Sequence, residues 1–213
     1  YITGWNGYHD KCITNKFTNF TPYSQVTGAF IYFYYLYDGG NNAQVEINIW
    51  DNTGTGGNPG NIIGTETISL LNLANILNGH GILYIDYPSP ITVTPEYYLG
   101  VRMLGFGATD SLAIVSNKDG DSPVDMVWIQ ESNNTWGSFS SQWGGTSLDC
   151  YISPIMTETP PQAIITPSAL TICTGSSIHF DGTGSLNVGS YSWNFPNGSV
   201  TNSTDGEIDV SYA

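Results

Sequence analysis

Hydrolysis by side chains needs a base within reach of a nucleophile, or two carboxylates facing each other across a cleft. The sequence offers three histidines, His9, His80 and His179, far apart and outside any Gly-x-Ser-x-Gly or His-Glu-x-x-His pattern. Glu46, Glu66, Glu96 and Glu131 are the candidate acid pair, but nothing around them distinguishes them from surface acids. Glu46 and Glu96 fall where the wet face or the start of a strand puts an ordinary carboxylate. The residues therefore point away from a catalytic centre in this chain. Hard-cation chemistry has better material. In Asn117-Lys118-Asp119-Gly120-Asp121-Ser122 the oxygen-bearing Asn117, Asp119 and Asp121 alternate around a glycine that permits a sharp turn. The segment lacks the following bidentate Glu of an EF-hand, so it reads either as a Ca²⁺ loop or as a solvated acidic hairpin turn. Asp51 to Gly60 has the same two readings, a cation wrapped by Asp51 and backbone carbonyls or plain turn chemistry.

Aromatic side chains supply the other candidate chemistry, since an exposed Trp or Tyr stacks on a sugar ring while Asn and Asp bond its hydroxyls. Trp128 lies in the apolar run Asp125–Glu131 and is expected in the core. Trp136 and Trp143 lie in Asn133–Gly145, a stretch of Asn, Ser, Gly and Gln with few apolar partners. They are the expected ligand-binding pair, either as a platform for a surface polysaccharide or as loop aromatics capping the open end of a sandwich. A protein ligand is the other expected partner.

Four cations (Lys11, Lys16, Arg102, Lys118) face 18 acidic residues, for a net charge of -14. Nucleic-acid binding rests on clustered Lys and Arg and the release of counterions, so this field argues against it and against anionic lipid. Divalent cations and neutral polysaccharides are compatible with it. No run nears the roughly 18 apolar residues of a membrane-spanning helix; Ala29 to Tyr37 is the longest and is rich in tyrosine. The chain begins at Tyr1, which reads as a processing, cloning or modelling boundary beyond any signal peptide. Cys12, Cys150 and Cys173 are too few for a disulfide framework and lack zinc spacing. In an oxidising compartment Cys12 and Cys150 pair; otherwise they are separate buried thiols.

Such residues must be held by strands. Short β-rich runs punctuated by Gly, Asn, Asp and Pro recur at Val26–Tyr37, Ala43–Trp50, Ile82–Tyr87, Glu96–Met103, Asp110–Ser116 and Asp125–Glu131, the pattern of an antiparallel sandwich. In Ala43–Trp50 the alternation predicts Val45, Ile47 and Ile49 on a buried face and Gln44, Glu46 and Asn48 on a wet one. One helix is predicted at Ser69 to Asn78, stopped by Gly79. The run Leu148–Ile155 closes a first domain at residues 1–155, and the Pro-rich segment 156–162 reads as a semi-rigid linker. Strand patterns then restart at Ala163–Ile165, Ser177–Phe180, Ser190–Phe195 and Glu207–Tyr212 in a second domain, 163–213.

The second domain resembles the PKD module, an immunoglobulin-like β-sandwich. The resemblance rests on Cys173 to Ser185, on Tyr191-Ser192-Trp193-Asn194-Phe195-Pro196-Asn197-Gly198, and on Val210-Ser211-Tyr212. Phe180, Ser185, Tyr191, Trp193, Phe195 and Gly198 match its signature, and Trp193 is the expected plug between two sheets. The match stops at Ala213, which implies a partial domain with an open sheet edge available for assembly. Residues 20–155 resemble the jelly-roll-like β-sandwich domains that precede PKD modules in exported proteins of Bacteroidetes. The motifs are Ile47-Asn48-Ile49-Trp50-Asp51, the loop Gly54 to Gly60, Tyr97-Tyr98-Leu99-Gly100-Val101, and Asp110-Ser111-Leu112-Ala113-Ile114. The expectation is an all-β chain, a jelly-roll-like antiparallel β-sandwich followed by a partial Ig-like domain. It implies an extracellular or cell-surface location and a binding or adhesion role. The alternatives are an accessory part of a secreted protease or polysaccharide hydrolase, or a filament subunit.

Overall fold

The computed structural model describes residues 9–18, 23–158 and 160–212, and the backbone of residues 2–4. The chain divides into two compact units, Tyr1–Glu158 and Thr159–Ala213. The first contains strands β1 (Ile2–Gly4), β2 (Cys12–Thr18), β3 (Tyr23–Tyr37), β4 (Gln44–Asp51), β5 (Ile62–Ser69) and β6 (Gly81–Thr92). These are followed by β7 (Glu96–Leu104), β8 (Ser111–Val115), β9 (Val127–Gln130), β10 (Trp136–Ser138) and β11 (Ile152–Glu158).

All pairings are antiparallel, in two sheets. A six-stranded sheet has the order β10-β9-β2-β7-β4-β5. A five-stranded sheet has the order β1-β8-β3-β11, with β6 also pairing β3. Between them lies the main core, to which the six-stranded sheet contributes Ile13, Val45, Ile47, Ile49, Leu99, Val101 and others, and the five-stranded sheet Val26, Ile31, Phe33, Leu112 and Ile114. The unit is an all-β sandwich, as the strand periodicity predicts.

The predicted helix forms as α1 (Leu70–Ile76), with Leu70 and Leu73 buried. The Ser69 hydroxyl accepts the Asn72 N–H at 3.2 Å, satisfying one of the free donors at a helix start. Asn78, at φ 50°, and Gly79, at φ 83°, end it in the left-handed region, with the Gly79 N–H donating to the Ala74 carbonyl at 2.8 Å. A single-turn helix α2 (Phe139–Gln142) also forms, so the segment 133–145 carries a strand and a helix where the composition reads as loop.

Strand β2 has no apolar alternation because its inward residue Asn15, 1% exposed, performs a polar task. Its amide donates to the carbonyls of Cys150 (2.7 Å) and Ile152 (3.2 Å), and its Oδ1 accepts the Cys150 N–H (3.2 Å). One side chain thus ties β2 of one sheet to the start of β11 in the other. Strand β11 runs to Glu158, three residues into the expected linker, paired with β3 throughout.

The second unit has strands β12 (Thr166–Pro167), β13 (Ser177–Asp181), β14 (Trp193–Asn194), β15 (Asn202–Ser203) and β16 (Glu207–Ser211). They form a three-stranded sheet, β12-β13-β16, and the pair β14-β15. Trp193, Phe195 and Val210 are its buried centre, with Phe180, Tyr191, Ile208 and Tyr212 packed around them. Trp193 stacks on Phe195 at 5.8 Å and donates its indole N–H to the Asp205 carbonyl at 2.7 Å, the core position its spacing predicts.

Candidate functional site

The far face of the six-stranded sheet departs from expectation. The alternation in β4 predicts that face as wet, yet Asn48 is 0% and Trp50 3% exposed. Trp128 belongs there too: Val127 and Ile129 point into the main core, and period two turns Trp128 the other way, half-buried. Here Cys12, Trp50 and Tyr98 form a second apolar cluster with Trp128 and Trp136 packed on it.

The register shows how the strands assemble this face. Glu46, Arg102, Cys12, Gln130 and Trp136 stand in one row across five strands. Asn48, Gly100, Thr14, Trp128 and Ser138 form the next row, and Trp50, Tyr98 and Lys16 a third. Trp50 and Trp136 lie four strand spacings apart, about 19 Å along a flat sheet. Their ring centroids nonetheless meet at 5.7 Å, edge to face. The sheet therefore curls, and this face is its concave side. Gly100 permits the close approach of β7 to β2 beneath the rings, because a Cβ there would lie 2.1 Å from the Ile13 carbonyl oxygen. Tyr98 packs edge-on against Trp128 at 5.8 Å and donates its hydroxyl to the Gly57 carbonyl, drawing the 51–61 loop over one end.

Beside the ring cluster lies a groove of about 400 Å³ lined by Trp50, Trp136, Cys12, Arg102, Gln130 and Asn134, among others. A second groove of about 320 Å³ shares Arg102, Gln130 and Asn134 and adds His9 and Lys11. Its polar groups are held in place. Arg102 pairs with Glu46 at 3.3 Å, Lys11 Nζ donates to Asn134 Oδ1 at 2.8 Å, and Gln130 Nε2 donates to the Asn134 carbonyl at 3.3 Å. The Cys12 thiol donates to Gln130 Oε1 at 3.3 Å, and burial pushes its pKa up to about 12, so it is a packed thiol and not a nucleophile. Asn48 Oδ1, in the row of Trp128, is a buried acceptor without a hydrogen-bond partner.

Of the two tryptophans singled out by sequence, Trp136 sits in this concave cluster. Trp143 lines a different groove, of about 410 Å³, with Asp10, Glu131 and Gln142, and stacks on Phe139 at 5.7 Å. The structure does not place the two in one pocket. Trp50 and Gln130 escape sequence reasoning because their neighbours come from other strands; the unusual Trp at the end of β4 was the available signal.

The Asn117, Asp119 and Asp121 segment forms a braced turn. Asn117 Oδ1 accepts the Asp149 N–H at 2.8 Å, and Asp119 Oδ1 accepts the Ser147 N–H at 2.8 Å. Asn117 Nδ2 donates to Ser122 Oγ at 2.6 Å, and Asp121 is exposed. Asp51, 8% exposed, takes hydrogen bonds from Thr53 and Asn61 on both oxygens. Burial raises its pKa, but these bonds together outweigh burial and hold the carboxyl below its ordinary range. Among the described residues no group of three or more His, Cys, Asp or Glu comes together.

Cys12 and Cys150 lie on opposite sides of the six-stranded sheet, one in the concave cluster and one in the main core, and both are free thiols. Glu96 pairs with Lys16 at 2.9 Å, and His179 with Asp209 at 3.0 Å. No helix among the described residues is long and apolar enough to cross a membrane.

No protein-family model matches the sequence, and no curated protein matches it. Two solved structures are similar in fold. One is the clostridial cysteine protease Cwp84 after propeptide cleavage: TM-score 0.52, 11% identity, 75% of this chain and 38% of that one. The other holds the cysteine protease and lectin-like domains of Cwp84, a surface layer associated protein of Clostridium difficile: TM-score 0.50, 11% identity, 70% of this chain and 32% of that one. The chain thus spans about a third of the length of the proteins it resembles. At this identity the likeness concerns the fold.

Proposed function

We propose that the Tyr1–Glu158 unit is a noncatalytic glycan-binding module of an extracellular or cell-surface protein. The observation that carries this reading is the concave aromatic cluster opening onto a groove of fixed polar groups. Trp136, half-buried and braced edge-on by Trp50, offers a ring for a sugar to stack on. Arg102, Gln130 and Asn134 stand beside it as hydroxyl partners, and Lys11 is within the adjoining groove. The ion pairs of Glu46 with Arg102 and of Glu96 with Lys16, which give these two candidate acids structural partners, support a module without catalysis. In this reading the 117–122 turn is held by its hydrogen bonds to Ser147 and Asp149, and binding does not depend on a cation there. The second unit, with its Trp193 and Phe195 core, serves in this reading as a PKD-like spacer.

The decisive measurement is binding to a broad glycan and polysaccharide array, with calcium and again with EDTA. The expected result is saturable binding, insensitive to EDTA, that Trp136→Ala weakens by tenfold or more while the circular dichroism spectrum is retained. Loss with Trp143→Ala and not with Trp136→Ala moves the site to the Asp10–Gln142 groove, and no binding in any condition refutes the module. A second reading, the accessory portion of a larger secreted protease, is favoured by the fold likeness to a surface protease whose solved structure includes lectin-like domains. The two readings are compatible, because an accessory domain can act by holding its enzyme on a glycan.

A further inference from the structure

The solvent side of the five-stranded sheet is paved with tyrosine. Tyr32, Tyr35 and Tyr37 alternate outward along β3, and an irregularity between Phe33 and Tyr35 turns Tyr34 outward beside them. Tyr84 on β6 lies in register with Phe30, with ring centroids 6.1 Å apart, and Tyr151 meets Tyr32 edge-on at 6.3 Å. Ile82 stands opposite Tyr32, and Ile155 opposite Gly28, both exposed. These six tyrosines and two isoleucines are each 38% to 68% exposed. At about 200 Å² for a large side chain, they leave roughly 800 Å² of largely apolar surface in water. Scattered exposed apolar residues are ordinary, but a contiguous array of this size marks an interaction surface.

Its charge is as informative as its area. In a chain of net charge -14 the array contains one carboxylate, Asp86, outward on β6. Lys11, Lys16 and Arg102 belong to the other sheet or its approach, and Lys118 to the 117–122 turn. A partner recognised through charge has nothing to read here. A second copy of the same face requires no charge complement, and about 800 Å² per partner is what a standard stable interface buries. Tyrosine-rich, charge-depleted composition is also that of interface cores. Two such faces related by a two-fold axis would stack as sheets of a sandwich do, about 10 Å apart.

We propose that this chain forms a symmetric dimer through the tyrosine face of its five-stranded sheet, leaving the concave groove of each copy open. This route uses a sheet face and is separate from assembly through a strand edge of the second unit. Because both copies carry -14, the dimer is opposed by long-range repulsion. It tightens as the Debye length falls from about 30 Å at 0.01 M salt to about 8 Å at 0.15 M.

Sedimentation velocity of the full 213-residue chain over a concentration series at both salt levels tests this. The expected result is a monomer–dimer equilibrium whose dissociation constant falls several-fold at the higher salt. The triple variant Tyr32→Glu, Tyr84→Glu, Tyr151→Glu alters only exposed positions and is expected to remain folded by circular dichroism and monomeric throughout. A wild-type chain that stays monomeric at high concentration and high salt overturns the proposal. So does a dimer that survives in the folded triple variant, and so does a monomeric wild-type chain whose glycan binding is lost in that variant, which would make the face a ligand platform.

Discussion

Replacing Asn15 by alanine removes three hydrogen bonds from the junction between the two sheets. Because Tyr32 donates its N–H to the Tyr151 carbonyl at 2.9 Å, antiparallel alternation turns the carbonyl of Ile152 away from β3. That carbonyl receives the Asn15 amide instead, and the Cys150 N–H donates to Asn15 Oδ1. The Cys150 carbonyl keeps a second donor, the Ile152 N–H at 2.7 Å, so two backbone groups lose their partner. An unsatisfied buried polar group costs about 1–3 kcal/mol, which puts Asn15→Ala, with two such groups, at about 2–6 kcal/mol. For a chain of this size each kcal/mol moves the midpoint by about 2–4 °C, so a loss on the order of 10 °C is expected by calorimetry. Asn15→Asp is expected to be at least as damaging at neutral pH. A carboxylate can still accept from Cys150 but faces two carbonyl oxygens where the amide donated. A midpoint for Asn15→Ala within about 1 °C of wild type would refute the view that this residue clamps the sheets.

The acid limb of stability should follow Asp51 and Asp110. Asp110, 2% exposed, accepts the N–H groups of Gly39 and Gly107 at 2.7 Å each. Burial alone would raise its carboxyl; these bonds outweigh it and hold the pKa low, as at Asp51. A folded pKa below the unfolded value of about 3.9 contributes stability that is complete above that value and disappears as pH falls through the folded pKa. Thermal midpoints should therefore be level from pH 7 to about 5 and drop below about 4, and Asp51→Asn or Asp110→Asn should start lower and drop less; an unchanged acid limb in both variants would refute this. Thiol titration should find one reactive cysteine in the native protein, the exposed Cys173, and three after unfolding without reductant, because Cys12 and Cys150 are buried and free. One thiol after unfolding would mean that those two are bonded.

Much of the sandwich was legible in sequence because period two reports burial locally. Val45, Ile47 and Ile49 announce β4, and the leucines with Ser69 and Gly79 announce α1. What failed were positions where the second face of a strand is also covered. Asn48 reads as outside because alternation assumes water on one side, and Trp128 reads as core because an apolar neighbourhood suggests a buried face. Strand β2 was silent because Asn15 spends a core position on backbone carbonyls more than a hundred residues away. The tyrosines of β3 were visible only as an apolar run, since nothing local tells which side of the sheet each one takes.

The sequence by itself determined the class of the protein: β-rich runs punctuated by turn residues in the pattern of an antiparallel sandwich, a net charge of -14, and a second unit built around Trp193. The tertiary structure alone decided the functional geography. It curled the six-stranded sheet so that Trp50 and Trp136 meet, sent Trp143 to another groove, placed Cys12 and Cys150 on opposite sides of one sheet, and gathered six tyrosines onto an open face. Burial pattern is a property of neighbours in the chain, whereas register and curvature depend on pairing between distant strands.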